Sequence, residues 1–189
     1  RSLVGSEMCI RDSPLLLNKI IQTDKLLFLH LVTQKTRIYT FLNPVSYLIA
    51  LENKSLFEQF DGIFADGSLL VSAIRLVYGK RVTRRSFDMT SLAPELLNYL
   101  MESRKTLYIV ASGQEQVECS VRIFQEQYPE LRIAGFRNGY FSSDAEMNKE
   151  ASHIVELNPD FLIVGMGALM QEKFLLKVKK MGYQGIGFT

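Results

Sequence analysis

Strand-like and helix-like segments alternate along most of this sequence, and the alternation limits the folds that it can adopt. Short apolar runs rich in β-branched and aromatic residues predict buried strands at 36–42, 62–65, 106–111, 131–136 and 161–165. Helical patterns and short loops separate these runs. Because parallel strands are joined by crossover connections that are usually helices, this order predicts an α/β fold with a mainly parallel sheet and helices on both faces.

The helical segments begin and end at recognisable residues. Residues 45–60 have helical spacing, residues 68–78 form a helix that stops at Gly79, and Thr90 or Ser91 is the candidate cap of the next helix. Further helices are predicted at 114–128, 143–157 and 170–182, and a last strand at 184–189.

The first thirteen residues are set apart from the fold. The stretch "RSLVGSEMCIRDS" resembles a translated sequencing adapter, so we interpret residues 1–13 as non-native; the alternative is a genuine N-terminal arm. Residues 14–189 are predicted to form a single domain, because a hydrophobic content of 47% is enough for one core. The chain ends inside a strand-like run, from which we expect that its C-terminal part is missing.

Charge and cysteine content narrow the class of protein. The formal net charge is +2, from 22 basic and 20 acidic residues, which gives no reason to expect a nucleic-acid partner. No apolar run in the sequence approaches the roughly 18 residues that cross a bilayer. Cys9 falls in the excluded segment, and Cys119 is predicted to be a small buried hydrophobe, which favours a reducing, cytoplasmic setting.

Polar and glycine residues follow several of the predicted strands. In open α/β sheets, ligands bind beyond the carboxyl ends of the strands, and the helix N-termini there suit phosphate groups. Four of the strands are followed by residues of this kind, which should meet at one edge of the sheet. They are Asn43 and Pro44; Asp66, Gly67 and Ser68; Ser112, Gly113 and Gln114; and Gly167, Ala168, Gln171 and Glu172.

Asp66 has two interpretations. Asp is among the preferred N-cap residues and Gly67-Ser68 suits a helix entrance, so Asp66 can be a helix cap. It can also be a catalytic base, because a carboxylate at the mouth of a site can accept a proton. The local sequence favours the cap, and the two roles are compatible.

A basic cluster contains Lys80, Arg81, Arg84 and Arg85. It is either a solvated loop or a clamp for an anion, because guanidinium groups match phosphate oxygens in a fork geometry. Asp88 can orient one of these arginines or cap the helix that follows.

The sequence indicates no cofactor and no metal. The stretch "GMGALMQE" lacks the third glycine of a G-x-G-x-x-G fingerprint because Met170 stands there, and the chain has neither a P-loop nor a D-x-D pair. His30 and His153 are far apart in sequence and are predicted to be surface or packing residues, because metal ligands come in clusters.

Five motifs occur in a specific order between about residue 35 and residue 189: "TFLNP", "FADGSLLVSAIRL", "RRSFDMTSL", "PELRIAGFRNGYF" and "NPDFLIVGMGALMQEKF". Together they resemble the WecG/TagA/CpsF family of bacterial glycosyltransferases. The resemblance implies a Rossmann-like fold and the transfer of an N-acetylmannosamine-type sugar from UDP. The implied acceptor is a sugar on an undecaprenyl-diphosphate lipid at the inner membrane face, in teichoic acid, enterobacterial common antigen or capsule assembly.

The resemblance also implies roles for single residues. The family's proposed base falls on Asp66, its asparagine on Asn43, its motif glutamine on Gln171, and its arginine on Arg84, with Arg81 and Arg85 as alternatives. Three positions depart from the family pattern. The family has threonine where Phe41 stands, and the threonine of this chain, Thr40, is one place earlier. Leu169 replaces a proline, and Phe174 replaces a tryptophan. These departures leave the donor sugar and the role of Thr40 open.

The predicted function is metal-independent, inverting glycosyl transfer from a UDP-sugar with Asp66 as general base; the alternative is a UDP-sugar-binding module or an inactive homologue. The predicted substrate-binding residues are Thr40, Asn43, Gly67, Arg84, Asp88, Ser112, Gly113, Gly167 and Gln171. The family's C-terminal tail carries arginines that close the site and contact the membrane. We therefore expect a cytoplasmic protein peripheral at the inner face of the membrane, and no turnover from residues 14–189 without that tail.

Overall fold

The structure of the protein, a computed structural model, describes residues 15–189. These residues form a six-stranded sheet in the order β2-β1-β6-β5-β3-β4, in which every neighbouring pair is parallel. The strands are β1 (Ile38–Leu42), β2 (Gly62–Ala65), β3 (Thr106–Ala111), β4 (Arg132–Arg137), β5 (Phe161–Gly165) and β6 (Ile186–Phe188). The predicted α/β class, with a Rossmann-like parallel sheet, is confirmed.

The helices lie between the strands, as the alternation predicts. They are α1 (15–24), α2 (Phe28–Thr33), α3 (Pro44–Glu52), α4 (Lys54–Phe57), α5 (Ser68–Tyr78), α6 (Leu92–Glu102), α7 (Gln114–Gln127), α8 (Asp144–Leu157) and α9 (Met170–Lys180). The single helix predicted over 45–60 is instead two helices. The chain breaks at Asn53, whose backbone and side-chain N–H groups both donate to the Ile49 carbonyl oxygen.

The core lies on both faces of the sheet because successive strand residues point to opposite sides. On β3, Leu107 and Ile109 pack in a cluster with α6 and α7, whereas Tyr108 and Val110 pack in a cluster with α8 and α9. A third cluster joins α1, α3 and α5 to the end of β1 and to β2. The predicted helices on both faces are therefore confirmed.

Three earlier expectations concern single residues outside the core. Cys119 is exposed on α7, so the prediction that it is buried is wrong: the buried face of that helix is formed by Val117 and Val121. His30 and His153 are both exposed, as predicted. The adapter-like segment lies outside the described residues. Within residues 15–189, no helix is both long enough and apolar enough to cross a bilayer.

Candidate functional site

Asp66 stands directly after β2, at the entrance to α5. Its N–H donates to the Leu42 carbonyl oxygen at 2.8 Å, which extends the pairing of β1 and β2 by one residue. The N-cap of α5 is Gly67, with a φ of 89°, and this residue has no side chain that could cap the helix. The helix-cap interpretation of Asp66 is therefore wrong. The position next to the helix entrance is confirmed, and the carboxylate remains 32% exposed.

Arg84 is the arginine that contacts Asp66. Its guanidinium lies 3.7 Å from Asp66 Oδ1 and 3.2 Å from Asp88 Oδ2. Asp88 also accepts hydrogen bonds from the Ser86 hydroxyl and from the Thr90 N–H and hydroxyl, and these hydrogen bonds lower its pKa to about 2. Asp88 thus orients Arg84, which is one of the two roles that the sequence suggested for it. It does not cap α6, whose N-cap is Ser91.

The surroundings of Asp66 act on its pKa in two directions. Partial burial raises the pKa of the carboxyl above its ordinary value and is the largest effect. The positive charge of Arg84 opposes this shift, while the negative charge of Asp88 adds to it. The net result is a raised pKa for Asp66, which makes the carboxylate a stronger base than an exposed Asp.

The other cationic residues of the loop have different environments. Lys80 and Arg81 are exposed. The N–H of Arg85 donates to the Ala65 carbonyl oxygen at 2.9 Å, so its backbone continues the edge of β2. Its buried Nε has no hydrogen-bond partner within residues 15–189. Arg84 and Arg85 therefore stand beside the end of β2, but the contact with Asp66 is made by Arg84.

Asn43 is the N-cap of α3. Its Oδ1 accepts from the N–H groups of Val45 and Ser46, and the Ser46 hydroxyl accepts from the Asn43 N–H. This capping box fixes the turn after β1, one strand away from Asp66. Asn43 is exposed, so the sequence-predicted residue lies at the surface of the same edge as Asp66.

A buried polar network lies behind the edge of the sheet and centres on Glu172, which is 0% exposed. Its Oε1 accepts from the Thr40 hydroxyl at 2.9 Å and from Gln171 Nε2 at 3.0 Å, and its Oε2 accepts from the Leu169 N–H at 2.6 Å. The Thr189 hydroxyl donates to that of Thr40 at 2.8 Å. Two predicted site residues, Thr40 and Gln171, are thus joined by one carboxylate.

Glu172 was expected at this edge but was not among the predicted substrate-binding residues, and Thr189 was predicted only as part of the last strand. Glu172 follows Gln171 in "GMGALMQE", and a Glu at the first turn of a helix is an ordinary helix signal, so nothing local marks it as a buried hub. The signal that could have identified it is position: the residues at 171 and 172 begin α9 directly after the turn that ends β5.

The turn before α9 has an unusual backbone at Leu169, where φ is 73°. Proline, which the family pattern has at this position, is held near −65° and cannot adopt that value. The Leu169 N–H is also the donor to Glu172, and proline has no N–H. The departure at Leu169 therefore matches the conformation of this turn.

A cleft with a volume of about 620 Å³ lies beyond the ends of β3 and β5. Ser112, Gly165 and Gly167 line it, together with the loop 139–144 after β4. Ser112 holds this loop, because its carbonyl oxygen accepts from the Gly139 N–H at 2.8 Å. Gly113 is the N-cap of α7, so that helix begins beside the cleft.

Strand order separates the cleft from Asp66. Asp66 follows β2 and Ser112 follows β3, four strand spacings away, which corresponds to about 19 Å. A smaller apolar cavity of about 260 Å³ lies between them on one face and is lined by Asp88, Ser112 and Thr189 among others. All four predicted turns share one edge of the sheet, as expected, but they are spread along that edge and do not line a single pocket.

Within residues 15–189, no three His, Cys, Asp or Glu side chains are grouped so that they could hold a metal ion. At the edge near β2, Arg84 lies between two aspartates, Asp66 and Asp88. Such an arrangement can hold a carboxylate in its ionised form and can present a guanidinium to an anion.

A sequence model of a family described as glycosyl transferase WecG/TagA/CpsF matches residues 21–188. The chain belongs to the WecG/TagA/CpsF glycosyltransferase family. The match covers every strand of the sheet and all of the edge described above. The resemblance drawn from the five motifs is thereby confirmed.

Curated relatives of this family member differ in the sugar that their names carry. The UDP-Gal:alpha-D-GlcNAc-diphosphoundecaprenol beta-1,4-galactosyltransferase of Shigella boydii is 30% identical over 154 residues, which are 82% of this chain and 64% of the relative. The N-acetylglucosaminyldiphosphoundecaprenol N-acetyl-beta-D-mannosaminyltransferase of Bacillus subtilis is 24% identical over 151 residues, which are 77% of this chain and 57% of the relative. The chain spans less than two thirds of the length of either relative.

Proposed function

We propose that the protein transfers a sugar from a UDP-sugar to an N-acetylglucosamine unit on an undecaprenyl-diphosphate lipid, in bacterial cell-surface polysaccharide synthesis. The observation that carries the proposal is the Asp66 carboxylate, which is partly exposed at the carboxyl edge of a family-matched sheet and lies 3.7 Å from Arg84. The acceptor is the one that the names of both relatives carry. Such an acceptor would place the protein in the cytoplasm, peripheral at the inner face of the membrane.

The proposed reaction needs one base and one leaving group. Asp66 accepts the proton of the acceptor hydroxyl while that oxygen forms a bond to the anomeric carbon of the donor sugar. The bond between the anomeric carbon and the UDP oxygen breaks, and UDP leaves with the electron pair. Attack from the opposite face inverts the anomeric centre, which agrees with the β-linked products in the names of both relatives, because UDP-hexoses are α-linked.

The donor would lie along the carboxyl edge of the sheet. We place its nucleoside in the cleft beside Ser112 and Gly167, where α7 begins, and its sugar near Asn43, Gln171 and Asp66. The separation of the cleft from Asp66, about 19 Å along the edge, supports this placement, because a UDP-sugar is an extended molecule. In this metal-independent scheme, guanidinium groups and helix N-terminal N–H groups, including that of Gly113, stabilise the charge of the departing diphosphate.

The donor sugar has two candidates. The resemblance of the motifs favours an N-acetylmannosamine-type sugar, and the similarity to the Shigella boydii enzyme favours galactose. The network of Thr40, Gln171 and Glu172 lies behind the place where the sugar would bind, so we propose that it positions the Gln171 amide for the sugar hydroxyls.

The deciding experiment measures UDP release with a polyprenyl-diphosphate-linked N-acetylglucosamine acceptor and each of the two donors. Because the curated relatives are longer than this chain, turnover is assayed in the protein encoded by the complete gene. UDP binding is measured both in that protein and in the 189-residue chain. Acceptor-dependent release supports the proposal and identifies the donor. UDP binding without turnover in the complete protein would instead support a binding module or an inactive homologue.

The substitution Asp66→Asn tests the assignment of the base. We expect turnover to fall at least about tenfold, because a general base commonly contributes that much or more. A raised carboxyl pKa means that ionisation of Asp66 opposes folding at neutral pH, so the neutral amide should not lower the melting temperature. Near-normal turnover in a folded variant would remove Asp66 from the mechanism, and unchanged UDP binding would show that the donor site is intact.

A further inference from the structure

Large apolar side chains stay exposed on two neighbouring helices. Val45 and Leu48 on α3, and Leu69, Leu76 and Val77 on α5, are between 63% and 88% exposed. Single exposed apolar residues are ordinary on protein surfaces, but five on one pair of helices form a patch of the kind that marks a binding surface. We call these five residues the α3–α5 face.

The two helices form one continuous surface. A shallow apolar groove of about 360 Å³ runs between them and is lined by Leu48, Leu69 and Val77 among others. The inner sides of the helices are already packed, because Leu70 and Ile74 of α5 lie in the core. The exposed residues of the α3–α5 face are therefore not part of the core that residues 15–189 form.

Positive charge surrounds one end of this face. Arg75 on α5 and Lys80 and Arg81 just after it are exposed, and none of the three takes part in an ion pair within residues 15–189. Helix α5 contains no acidic residue, and α3 contains one, Glu52, at its last position. An apolar helix surface flanked by lysine and arginine is typical of helices that lie in the interface of an anionic bilayer.

We propose that the α3–α5 face docks on the anionic surface of a lipid bilayer. The apolar side chains enter the boundary between headgroups and acyl chains, and Arg75, Lys80 and Arg81 contact the lipid phosphates. A second copy of the chain fits the face less well, because pairing the same surface would bring three like charges of each copy together.

The α3–α5 face lies close to the candidate site, so docking would affect how an acceptor reaches Asp66. Helix α3 begins one residue after Asn43, and α5 begins two residues after Asp66, so the face starts beside the candidate base. A lipid-linked acceptor could then keep its chain in the bilayer while its sugar reaches Asp66. This consequence rests on the proposed function, whereas the docking itself does not.

The test measures co-flotation of the protein with phosphatidylcholine vesicles that contain or lack phosphatidylglycerol. We expect binding that requires phosphatidylglycerol and weakens with added salt. The pair Lys80→Gln and Arg81→Gln should weaken binding roughly fivefold for each charge removed. The pair Leu76→Glu and Val77→Glu should abolish it. The matched control is the pair Arg122→Gln and Ile123→Glu on α7, which are also exposed and should leave binding unchanged.

Several outcomes would overturn the proposal. One is equal vesicle binding by the α3–α5 variants and the α7 control. A second is loss of binding when residues 1–14 are deleted from an otherwise unchanged chain, which would assign the contact to that segment. A third is the absence of vesicle binding by the wild type, together with a wild-type oligomer that dissociates when Leu76→Glu and Val77→Glu are introduced. Thermal melts confirm folding of each variant, and UDP release, measured separately, tests the proposed function independently of vesicle binding.

Discussion

Burial and Arg84 act on Asp66 in opposite directions, and the balance sets the pH range in which this carboxylate can work. A base is active in its ionised form, so activity that depends on Asp66 should fall as the pH drops through the pKa of that group. Because the pKa is raised above its ordinary value of 3.8, the loss should begin at a higher pH than for an exposed Asp. This expectation follows from contacts that no local sequence pattern shows.

The substitution Arg84→Gln should move this acid limb to higher pH. Removing the guanidinium removes the attraction that lowers the pKa of Asp66, while burial and the charge of Asp88 continue to raise it. The measurement is the pH profile of kcat/KM in the complete protein. Arg122→Gln is the matched control, because Arg122 is exposed on α7 and forms no ion pair with Asp66. An unchanged acid limb in Arg84→Gln would contradict the coupling.

Glu172 is the second residue whose role depends on tertiary contacts. The substitution Glu172→Gln puts an amide where a carboxylate accepts three hydrogen bonds, so at least one donor loses its acceptor. An amide nitrogen in place of Oε2 faces the Leu169 N–H, and one in place of Oε1 faces both Thr40 and Gln171. We expect a loss of about 1–3 kcal/mol in the free energy of unfolding, measured by denaturant titration. Glu156→Gln, on the exposed side of α8, should change stability by less than about 0.5 kcal/mol. Equal stability of Glu172→Gln and Glu156→Gln would contradict the hydrogen-bond network around Glu172.

At the scale of elements, the start of α5 depends on backbone freedom at Gly67. Its φ of 89° and ψ of 135° lie in a region that L-residues with a side chain rarely adopt. This conformation turns the chain from the end of β2 into α5 and leaves the Asp66 side chain at the surface of the edge. Gly67 thus contributes to the site through its backbone conformation, which sets the position of Asp66.

The substitution Gly67→Ala should destabilise the protein through strain alone. The nearest atom to an added Cβ is Pro44 Cδ at 3.8 Å, so there is space for the methyl group and the cost is conformational. We expect a loss of about 1–3 kcal/mol. Gly79→Ala is the control: its φ of 64° is left-handed but more accessible, and the cost should be about 1 kcal/mol. Equal melting temperatures of Gly67→Ala and wild type would contradict the assigned backbone.

At the scale of the whole molecule, the last strand holds the sheet together. Strand β6 pairs with β1 on one side and with β5 on the other, so it joins the half of the sheet with Asp66 to the half with the cleft. Its three residues are buried, and Thr189, which follows, joins the network through Thr40. Residues 186–189 therefore connect the part of the sheet that carries Asp66 to the part that carries the cleft.

Ending the chain after residue 185 should abolish cooperative folding. The truncation removes β6 and leaves β1-β2 and β5-β3-β4 without a shared strand, with a gap lined by buried apolar side chains. Circular dichroism during thermal unfolding is the measurement. The substitution Thr189→Ala, which keeps β6 and removes one hydrogen bond, should retain a cooperative transition. A cooperative transition in the truncated chain would show that β6 is dispensable.

Local sequence signals predicted the elements well where side-chain periodicity is strong. The strands at 62–65, 106–111 and 161–165 were predicted to the residue, because buried parallel strands are short apolar runs between turn residues. The break at Asn53 was missed, because helical spacing continues through it while the side chain competes for the Ile49 carbonyl. The exposure of Cys119 was missed because residue type alone does not fix which face of a helix is buried.

The sequence by itself determined the α/β class, the parallel direction of the strands and the residues that stand at their carboxyl ends, because these follow from local periodicity and from the geometry of crossover connections. Only the tertiary structure decided the strand order, which places β6 between β1 and β5 and spreads the predicted site residues along the edge of the sheet. It also decided which side chains meet, including Arg84 with Asp66 and Thr40 with Glu172. The physical reason is that those contacts join residues 18 and 132 positions apart, and packing of the whole chain brings them together.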